Sequence, residues 1–190
     1  LKRLIDRTAF AMAQQDVRYY LNGMLWEINP QQLRVVATDG HRLAMCDLNS
    51  ENIQHEQRQI IVPRKGILEL ARSLTQDQEP VHLAFGQNHL HAKTENFTFV
   101  TKLVDGKFPD YQRVLPKGGN KQVFGERLAL REAFSRASIL SNEKYRGVRL
   151  MLSDGELLVQ ANNPEQEEAE DGLAVTYQGE ALEIGFNVNY

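Results

Sequence analysis

The residues best suited to do chemistry lie between Thr38 and Leu43, where the chain reads Thr-Asp-Gly-His-Arg-Leu. A histidine beside an arginine could transfer protons, bind an anion or line a recognition pocket. Asp39-Gly40 is a strong signal for a β-hairpin turn, because glycine accepts positive φ and aspartate can hydrogen-bond its own backbone. The sequence therefore predicts a turn that displays His41 and Arg42 at the end of a sheet. A plain solvated turn is an equally good interpretation of these residues alone.

Two further groups of side chains could bind a metal ion. His89 and His91 would share one face of a strand, but no cysteine or carboxylate lies at ligand spacing, which favours ordinary surface histidines. An acidic run could hold Mg²⁺ for nuclease chemistry, although such runs are more often solvated or face a basic partner. The run consists of Glu165, Glu167, Glu168, Glu170 and Asp171. The sequence has no Walker A loop, H-E-x-x-H, C-x-x-C or G-x-S-x-G motif that would support an enzyme.

Composition limits the classes of protein to which the chain can belong. Its 190 residues, 42% of them hydrophobic, are enough for one or two small domains. The sequence has a single cysteine, no apolar run long enough to span a membrane and an amphipathic N-terminal segment that is unlike a signal peptide, so we expect a soluble cytoplasmic protein. The net charge of −3 means that any DNA contact must use a local basic patch. The chain begins without Met inside a predicted helix and ends on a strand pattern, which is typical of a fragment.

The elements that position these residues follow from the spacing of apolar side chains. We predict helices over Leu1–Ala13, from Pro63-Arg64 onwards and over Leu128–Leu140. The predicted strands are Val17–Glu27, Leu33–Ala37, Leu43–Leu48, Gln59–Val62, Val81–Phe85, His89–Lys93, Phe97–Val104, Gly147–Leu152 and Glu156–Ala161, with a strand remnant at Val123-Phe124. Asp105-Gly106 and Pro109 break the pattern and predict a linker between domains at 1–110 and 111–190.

An internal repeat connects these two domains. Four pairs of identical residues share an offset of 124 (147 minus 23, for example), and they are Gly23 and Gly147, Leu33 and Leu157, Val35 and Val159, and Ala37 and Ala161. A helix with arginines on its polar face precedes each copy, with Arg3 and Arg7 in the first and Arg131 and Arg136 in the second. We therefore predict an α+β protein built as tandem copies of a helix packed on antiparallel sheet. The arginines could line a shared surface, and a solvated helix face is an equally good interpretation.

Six blocks of sequence, in order, resemble one family. They are Asp16 to Leu25, Ala37 to Ala44, Val62 to Gly66, Lys102 to Tyr111, Ser141 to Val148 and Asn162 to Glu170. Together they resemble the bacterial DNA polymerase III beta subunit family, the replication sliding clamps, over nearly the whole chain. The resemblance implies the DNA clamp fold, with helices lining the inner face of a ring. The chain would supply the middle domain without its first strand and part of the C-terminal domain.

The resemblance also implies a function. Clamps encircle duplex DNA without sequence preference and tether the polymerase, so they act as processivity factors with no catalysis of their own and no cofactor. Partners bind through short peptide motifs, and they include the replicative polymerase alpha subunit, clamp-loader subunits, other polymerases and repair proteins. The full-length protein would be a homodimer. The alternatives are a metal-dependent nuclease or nucleotidyltransferase that uses the acidic run 165–171, and an isolated peptide-binding module.

The resemblance assigns three groups of site residues. Positions that match DNA contacts are Gln15, Tyr19, Tyr20, Arg64, Lys65 and Arg72, to which the helix-face interpretation adds Arg3 and Arg7. Positions that match the peptide-binding pocket, expected at the junction of the two domains, are Leu21, Thr38, Gly40, His41, Arg42, Leu43, Pro109, Arg113, Val114, Tyr145, Asn187 and Tyr190. Positions that match the dimer interface are Ile139, Leu140, Glu165, Glu167 and Glu170. Tyr145 stands where many relatives carry Phe.

Overall fold

The computed structural model describes residues 1–51, 53, 56–75, 80–142, 144–165 and 167–190. The chain divides into two compact units, Leu1–Tyr111 and Gln112–Tyr190. The α-helices among the described residues of the first unit are α1 (Lys2–Asp6) and α2 (Arg64–Ser73). Its strands are β1 (Gly23–Asn29), β2 (Gln32–Thr38), β3 (Leu43–Asn49), β4 (Arg58–Pro63), β5 (His82–Phe85), β6 (His89–Lys93) and β7 (Thr98–Lys102). They form two antiparallel sheets, ordered β3-β2-β1-β4 and β5-β6-β7.

The core of the first unit joins α2 to one face of each sheet. Trp26 on β1 is fully buried in the same apolar cluster as Ile67 and Leu70 on α2 and Leu90 on β6. The helix forms because its apolar residues recur at three- and four-residue spacing on one side. Gly66 lets the start of α2 approach β7 closely, since a Cβ at this position would lie 2.8 Å from Thr101 Oγ1.

A row of polar side chains crosses the other face of the β3-β2-β1-β4 sheet. Asp47, Arg34, Glu27 and Gln59 are direct cross-strand neighbours on β3, β2, β1 and β4. Arg34 Nε donates to Asp47 Oδ1 at 2.7 Å, and Gln59 Nε2 donates to Glu27 Oε1 at 2.6 Å. The buried Tyr111 donates its hydroxyl to Glu27 Oε2. The row therefore joins all four strands and fastens the end of the first unit to its sheet.

The second unit packs one helix on one antiparallel sheet. The helix is α3 (Arg127–Leu140), and the strands are β8 (Gly147–Ser153), β9 (Glu156–Asn162), β10 (Glu168–Ala174) and β11 (Leu182–Asn187), in the order β10-β9-β8-β11. The carboxylate of Glu126 accepts a hydrogen bond from the Leu128 amide at 3.2 Å and caps the start of α3. Ala133 and Ala137 on α3 share a core with Val159 and Ala161 on β9.

The predicted repeat is confirmed by the strand bounds. β1, β2 and β4 recur as β8, β9 and β11 at an offset of 124 (147 minus 23, 156 minus 32 and 182 minus 58), and the two four-stranded sheets share one strand order. β10 follows β3 at 125 (168 minus 43). The connection 163–167 is one residue longer than the turn 39–42, which accounts for the difference.

Two predictions near the N-terminus are wrong. The predicted helix Leu1–Ala13 ends at Asp6, because the buried Thr8 donates its hydroxyl to Leu4 O at 2.7 Å and the chain continues into a 3₁₀ turn at Ala9–Ala11. Arg7 consequently caps this helix and does not lie on its face. The predicted strand Val17–Glu27 begins only at Gly23.

The chain before Gly23 is a turn because its polar side chains bond the local backbone. Asn22 Nδ2 donates to Asp16 O at 2.8 Å, and Asp16 N donates to Asn22 Oδ1 at 2.9 Å. This pair encloses a 3₁₀ turn at Tyr19–Leu21. The sequence did not predict β10, and it predicted β11 only as a strand pattern without bounds at the end of the chain. The predicted strand remnant is a single bridge between Phe124 and Thr176.

The repeat supplies a matched pair of glycines that should respond differently to the same substitution. A Cβ on Gly23 would lie 2.6 Å from Val62 O, whereas a Cβ on Gly147 would meet nothing within 4 Å. Gly23→Ala should therefore lower the free energy of unfolding by about 1–3 kcal/mol. Gly147→Ala should change it by less than about 0.5 kcal/mol. Urea unfolding of both variants measures the difference, and equal losses would contradict the close approach at Gly23.

Candidate functional site

The predicted hairpin turn from Thr38 to Leu43 is confirmed, and its side chains organise it. Asp39 Oδ1 accepts hydrogen bonds from the amides of His41 at 2.9 Å and Arg42 at 3.1 Å. Thr38 Oγ1 donates to Arg42 O at 2.6 Å, and Gly40 adopts a left-handed φ of 89°. The result is a rigid turn with an exposed His41 and a half-buried Arg42, whose guanidinium carbon lies 5.5 Å from the centre of the exposed Phe10 ring.

The charge of Asp39 is part of this rigidity. Burial raises the pKa of the Asp39 carboxyl, but the amides of His41 and Arg42 and the Arg42 guanidinium outweigh burial and hold the pKa below its usual value. Arg42 Nε lies 3.2 Å from Asp39 Oδ2. The turn is therefore held by an ionised carboxylate that accepts three hydrogen bonds.

Arg18 braces the same turn, and sequence reasoning missed it. Its guanidinium donates to Asp16 at 2.7 and 2.9 Å and to the carbonyl of Asp39 at 3.3 Å. It also fills the space beside Gly40, where a Cβ would lie 2.9 Å from Arg18 Nη2. The signal for the first contact is local, since Asp16 Oδ1 accepts the Arg18 amide two residues on, as in an Asx turn.

The contact between Arg18 and Asp16 predicts a measurable pKa. Hydrogen bonds from the Arg18 side chain and amide lower the pKa of Asp16 from 3.8 to about 2. A lowered carboxyl pKa stabilises the fold above the unfolded value, and this stabilisation is lost as the pH falls from 3.8 towards 2. An NMR titration of the Asp16 carboxyl should give a value near 2, and Arg18→Gln should return it towards 3.8. An unchanged titration in the variant would contradict the assignment.

The tyrosines that match DNA contacts lie on the 3₁₀ turn beside this brace. Tyr19 is 56% exposed, and its ring meets the Tyr20 ring edge to face with 5.7 Å between centroids. A Cβ on Gly106 would lie 3.2 Å from the Tyr19 hydroxyl, so Tyr19 also packs against the chain that follows β7. Leu21, on the same turn, is buried. One short turn therefore carries both candidate DNA contacts and, with its side chain buried, one residue that matches the pocket.

The basic residues of α2 surround a shallow depression of about 430 Å³ at the start of the helix. Lys65 and Arg72 are exposed, and Arg72 Nη1 lies 2.7 Å from Glu69 Oε1. Arg64 is half-buried, and its guanidinium donates to the carbonyl of Met12 at 3.2 Å. Lys65 and Arg72 thus present charge to solvent, whereas Arg64 holds the preceding chain in place.

The remaining candidate DNA contacts lie on other exposed segments. Gln15 precedes the 3₁₀ turn, and Arg3 and Arg7 lie on or just after α1. In the second unit the expected arginine surface is partly neutralised, because Arg136 Nε lies 2.6 Å from Asp171 Oδ2. Asp171 is therefore paired with a base of its own unit.

The positions that match the peptide pocket are divided between the two units. Those in the first unit are Leu21, Thr38, Gly40, His41, Arg42, Leu43 and Pro109, and those in the second are Arg113, Val114, Tyr145, Asn187 and Tyr190. The turn brings most of the first group together, with Leu43 directly opposite Thr38.

The second group contains one connected set. Asn187 Nδ2 donates to Tyr145 O at 3.3 Å, and the Tyr190 amide donates to Asn187 O at 3.1 Å. Tyr145 and Asn187 line a groove of about 720 Å³ that also includes Ile184 and Phe186. Arg113 and Val114 are exposed near the start of the unit. The groove combines aromatic and apolar walls with amide groups, which suits peptide binding.

The acidic run begins in the connection before β10 and continues into that strand, and its glutamates are exposed. Glu168 and Glu170 alternate on β10, while Glu165 and Glu167 lie in the connection before it and Gln166 falls outside the described residues. Ile139, near the end of α3, is 78% exposed, and Leu140 is half-buried. Within the described ranges no three His, Cys, Asp or Glu residues come together to hold a metal ion. None of the described helices is long and apolar enough to cross a membrane.

Comparison with known proteins follows the same division of the chain. Residues 1–110 match the family model for the DNA polymerase III beta subunit, central domain, and residues 112–190 match the model for its C-terminal domain. The beta sliding clamps of Pseudomonas putida and Pseudomonas aeruginosa are 65% and 67% identical over 190 residues, and that of Escherichia coli is 54% identical. All of this chain is matched in each case, and it spans 52% of each of those proteins.

Solved structures give the same result and confirm the predicted α+β clamp fold. The crystal structure of the DNA polymerase III subunit beta from Pseudomonas aeruginosa matches with a TM-score of 0.95 and 67% identity, covering 98% of this chain and 51% of that one. The sliding clamp of Bartonella birtlesii bound to griselimycin matches with a TM-score of 0.92 and 40% identity, covering all of this chain and 52% of that one. Because residues 1–110 match the central-domain model and residues 112–190 match the C-terminal-domain model of the same subunit, the chain belongs to the DNA polymerase III beta subunit family.

Proposed function

We propose that this chain is part of a bacterial DNA sliding clamp, a non-catalytic processivity factor of the replicative polymerase. The observation that carries the proposal is the identity of 65% and 67%, across all 190 residues, with relatives named beta sliding clamp. Residues 1–110 act as the middle domain and 111–190 as part of the C-terminal domain. Such a protein needs no bond-making chemistry, because tethering raises the effective concentration of the polymerase at the primer end. Bacterial replication takes place in the cytoplasm, where the protein would act.

The DNA-facing surface proposed for the first unit centres on Lys65 and Arg72. Both are exposed, and cations that contact phosphates without reading bases give the loose, sequence-independent attraction that sliding requires. Gln15, Tyr19 and Tyr20 extend this surface through polar and aromatic contacts. Arg3 and Arg7 add charge from the N-terminal segment, and Arg64 supports the surface by holding the backbone.

The residues proposed to bind partner peptides are the Thr38–Leu43 turn in the first unit and the groove lined by Tyr145 and Asn187 in the second, each described by itself. Leu43 and Val114 would receive apolar anchors of a short peptide, and His41 and Arg42 would meet its polar groups. Leu21 is buried, so it would support these residues from below and not contact the peptide. Clamps from Pseudomonas aeruginosa and Bartonella birtlesii have been crystallised bound to griselimycin, which supports ligand binding by clamps of this family. The peptide partners would be the polymerase alpha subunit, clamp-loader subunits, other polymerases and repair proteins.

The proposed subunit interface of a homodimeric ring has an apolar part and an acidic part. The apolar part is the exposed Ile139 with the half-buried Leu140, and the acidic part is Glu165, Glu167 and Glu170. An apolar centre flanked by charges is typical of such interfaces. The facing surface of the other subunit should be basic.

A chimera tests the proposed function as a whole. The 190 residues replace the matching segment of the Pseudomonas aeruginosa clamp, and the ring is loaded onto primed circular DNA with that organism's loader and polymerase. We expect product lengths within about twofold of those made with the parental clamp, since a clamp acts by tethering. Short products from a chimera that is folded and dimeric would overturn the proposal. Degradation of labelled DNA by the chain alone with Mg²⁺, abolished by Glu165→Ala and Glu167→Ala, would favour a nuclease instead.

A further inference from the structure

The outward face of the β5-β6-β7 sheet is basic, although the chain as a whole carries a net charge of −3. Because side chains alternate along a strand, the residues that face away from the core are His82 on β5, His89, His91 and Lys93 on β6, and Lys102 on β7. All of them are exposed. The other outward residues of the three strands are Ala84, Thr98 and Val100, so this face carries no carboxylate.

The register of the sheet places basic residues opposite one another. His82 is opposite Lys93, and His89 is opposite Lys102. Lysine is cationic and imidazole can donate a hydrogen bond, so neither pair contains a carboxylate that would neutralise its lysine. Among the described neighbours, Glu95 in the turn between β6 and β7 is exposed but lies beyond the end of both strands. An anionic occupant would relieve this arrangement.

This surface is separate from the proposed DNA-facing surface. The inner face of β7 meets α2, as the approach of Gly66 to Thr101 shows. Val100 and Lys102 alternate with Thr101 and therefore point away from α2. The basic sheet face and the basic start of α2 consequently lie on opposite sides of one strand.

The chemistry of the face favours one class of occupant. A metal ion would be repelled by Lys93 and Lys102, and no group of three potential ligands occurs in the part of the chain that the structure describes. Single-stranded nucleic acid is usually held by aromatic side chains on which bases stack, and the outward residues include none. The positions of His89, His91 and Lys93, spaced about 7 Å apart along β6, match carboxylates on alternate residues of an extended peptide.

We propose that the outward face of β5-β6-β7 binds an acidic segment of a partner protein, extended along β6 with carboxylates at alternate positions. Lys93 and Lys102 supply the charge, and the three histidines supply donors between them. The site does not depend on the peptide pocket or on DNA binding.

Fluorescence anisotropy with a labelled twelve-residue peptide of alternating Glu and Thr tests the proposal, using the whole 190-residue chain in 50 mM NaCl. We expect saturable binding that Lys93→Gln with Lys102→Gln weakens at least tenfold and His89→Gln with His91→Gln at least threefold. The matched control is Lys117→Gln with Lys121→Gln, which removes the same charge from exposed residues of the second unit and should change the affinity less than twofold.

Several outcomes would overturn the proposal. They are no binding by the unaltered chain, an equal loss in the control variant, or equal binding of a peptide in which Gln replaces Glu. A single-stranded oligonucleotide of equal charge that binds as tightly, with the same dependence on Lys93 and Lys102, would show that the assigned class of partner is wrong.

Discussion

Reversal of charge at two positions, Lys65→Glu with Arg72→Glu, is expected to weaken DNA association of the chimeric ring at least about tenfold in 100 mM salt. Both side chains are exposed at the start and end of α2 and have no backbone role. Two lost phosphate contacts should also lower the slope of log affinity against log salt by about 2. Fluorescence anisotropy of a short labelled linear duplex titrated with the chimeric ring, repeated across a salt series, gives both quantities.

The control for this experiment comes from the opposite side of the same unit. Lys93→Glu with Lys102→Glu reverses the same charge on the outward face of β6 and β7, and the affinity for the labelled duplex should change less than twofold. A loss as large as that of the α2 variant would mean that net charge matters and location does not. Arg64 is left intact in both proteins, because its contact with the Met12 carbonyl makes it part of the fold.

The second large effect is expected at the turn. His41→Ala with Leu43→Ala should weaken binding of a fluorescent peptide with apolar anchors at its end by at least about tenfold, since truncating a central apolar contact costs about 1–3 kcal/mol. Anisotropy with the 190-residue chain measures the loss. Leu43 is half-buried and opposite Thr38, so the variant also needs circular dichroism to show that the hairpin is retained.

A matched control tests whether the loss of peptide affinity is specific to the Thr38–Leu43 turn. His89→Ala with Val100→Ala also removes one histidine and one aliphatic side chain from exposed positions of the first unit, and it should leave peptide affinity within about twofold. Equal losses of peptide affinity in the two variants would contradict the assignment of the pocket to the Thr38–Leu43 turn.

The parts of the fold that the sequence predicts well are those with a strict period. The three- and four-residue spacing in α2 and α3 and the alternation in β2 and β6 place these elements within a few residues of their bounds. The repeat added a second line of evidence, since its offset of 124 aligns three pairs of strands.

The errors have two physical causes, one local and one tertiary. Leu1–Ala13 has helical spacing throughout, but a single buried hydroxyl at Thr8 redirects the chain after Asp6. β10 was missed because its alternation is formed by Glu168, Glu170 and Gly172, which read as a solvated run when no partner strand is known. The pairing of β10 with β9 is a tertiary contact that no period encodes.

The candidate site was predicted in the same uneven way. The Asp39-Gly40 turn was found because its chemistry is contained within six residues. Arg18 was missed because it reaches the Asp39 carbonyl from 21 residues away. Lys65 faces solvent, whereas the neighbouring Arg64 supports the backbone. This difference depends on side-chain direction, which the sequence of two adjacent basic residues does not reveal.

The polar row across the first sheet has a consequence for how a duplicated chain avoids misfolding. Glu27 and Arg34 are paired across β1 and β2, and their counterparts, Met151 and Leu158, are paired across β8 and β9. If β1 paired with β9 during folding, Glu27 would lie opposite Leu158 and lose Arg34 as its neighbour. Exchange of strands between tandem copies is a recognised hazard of repeated domains. The paired positions are charged in the first copy and apolar in the second. Each strand therefore pairs more favourably with the neighbour from its own copy than with the equivalent strand of the other copy.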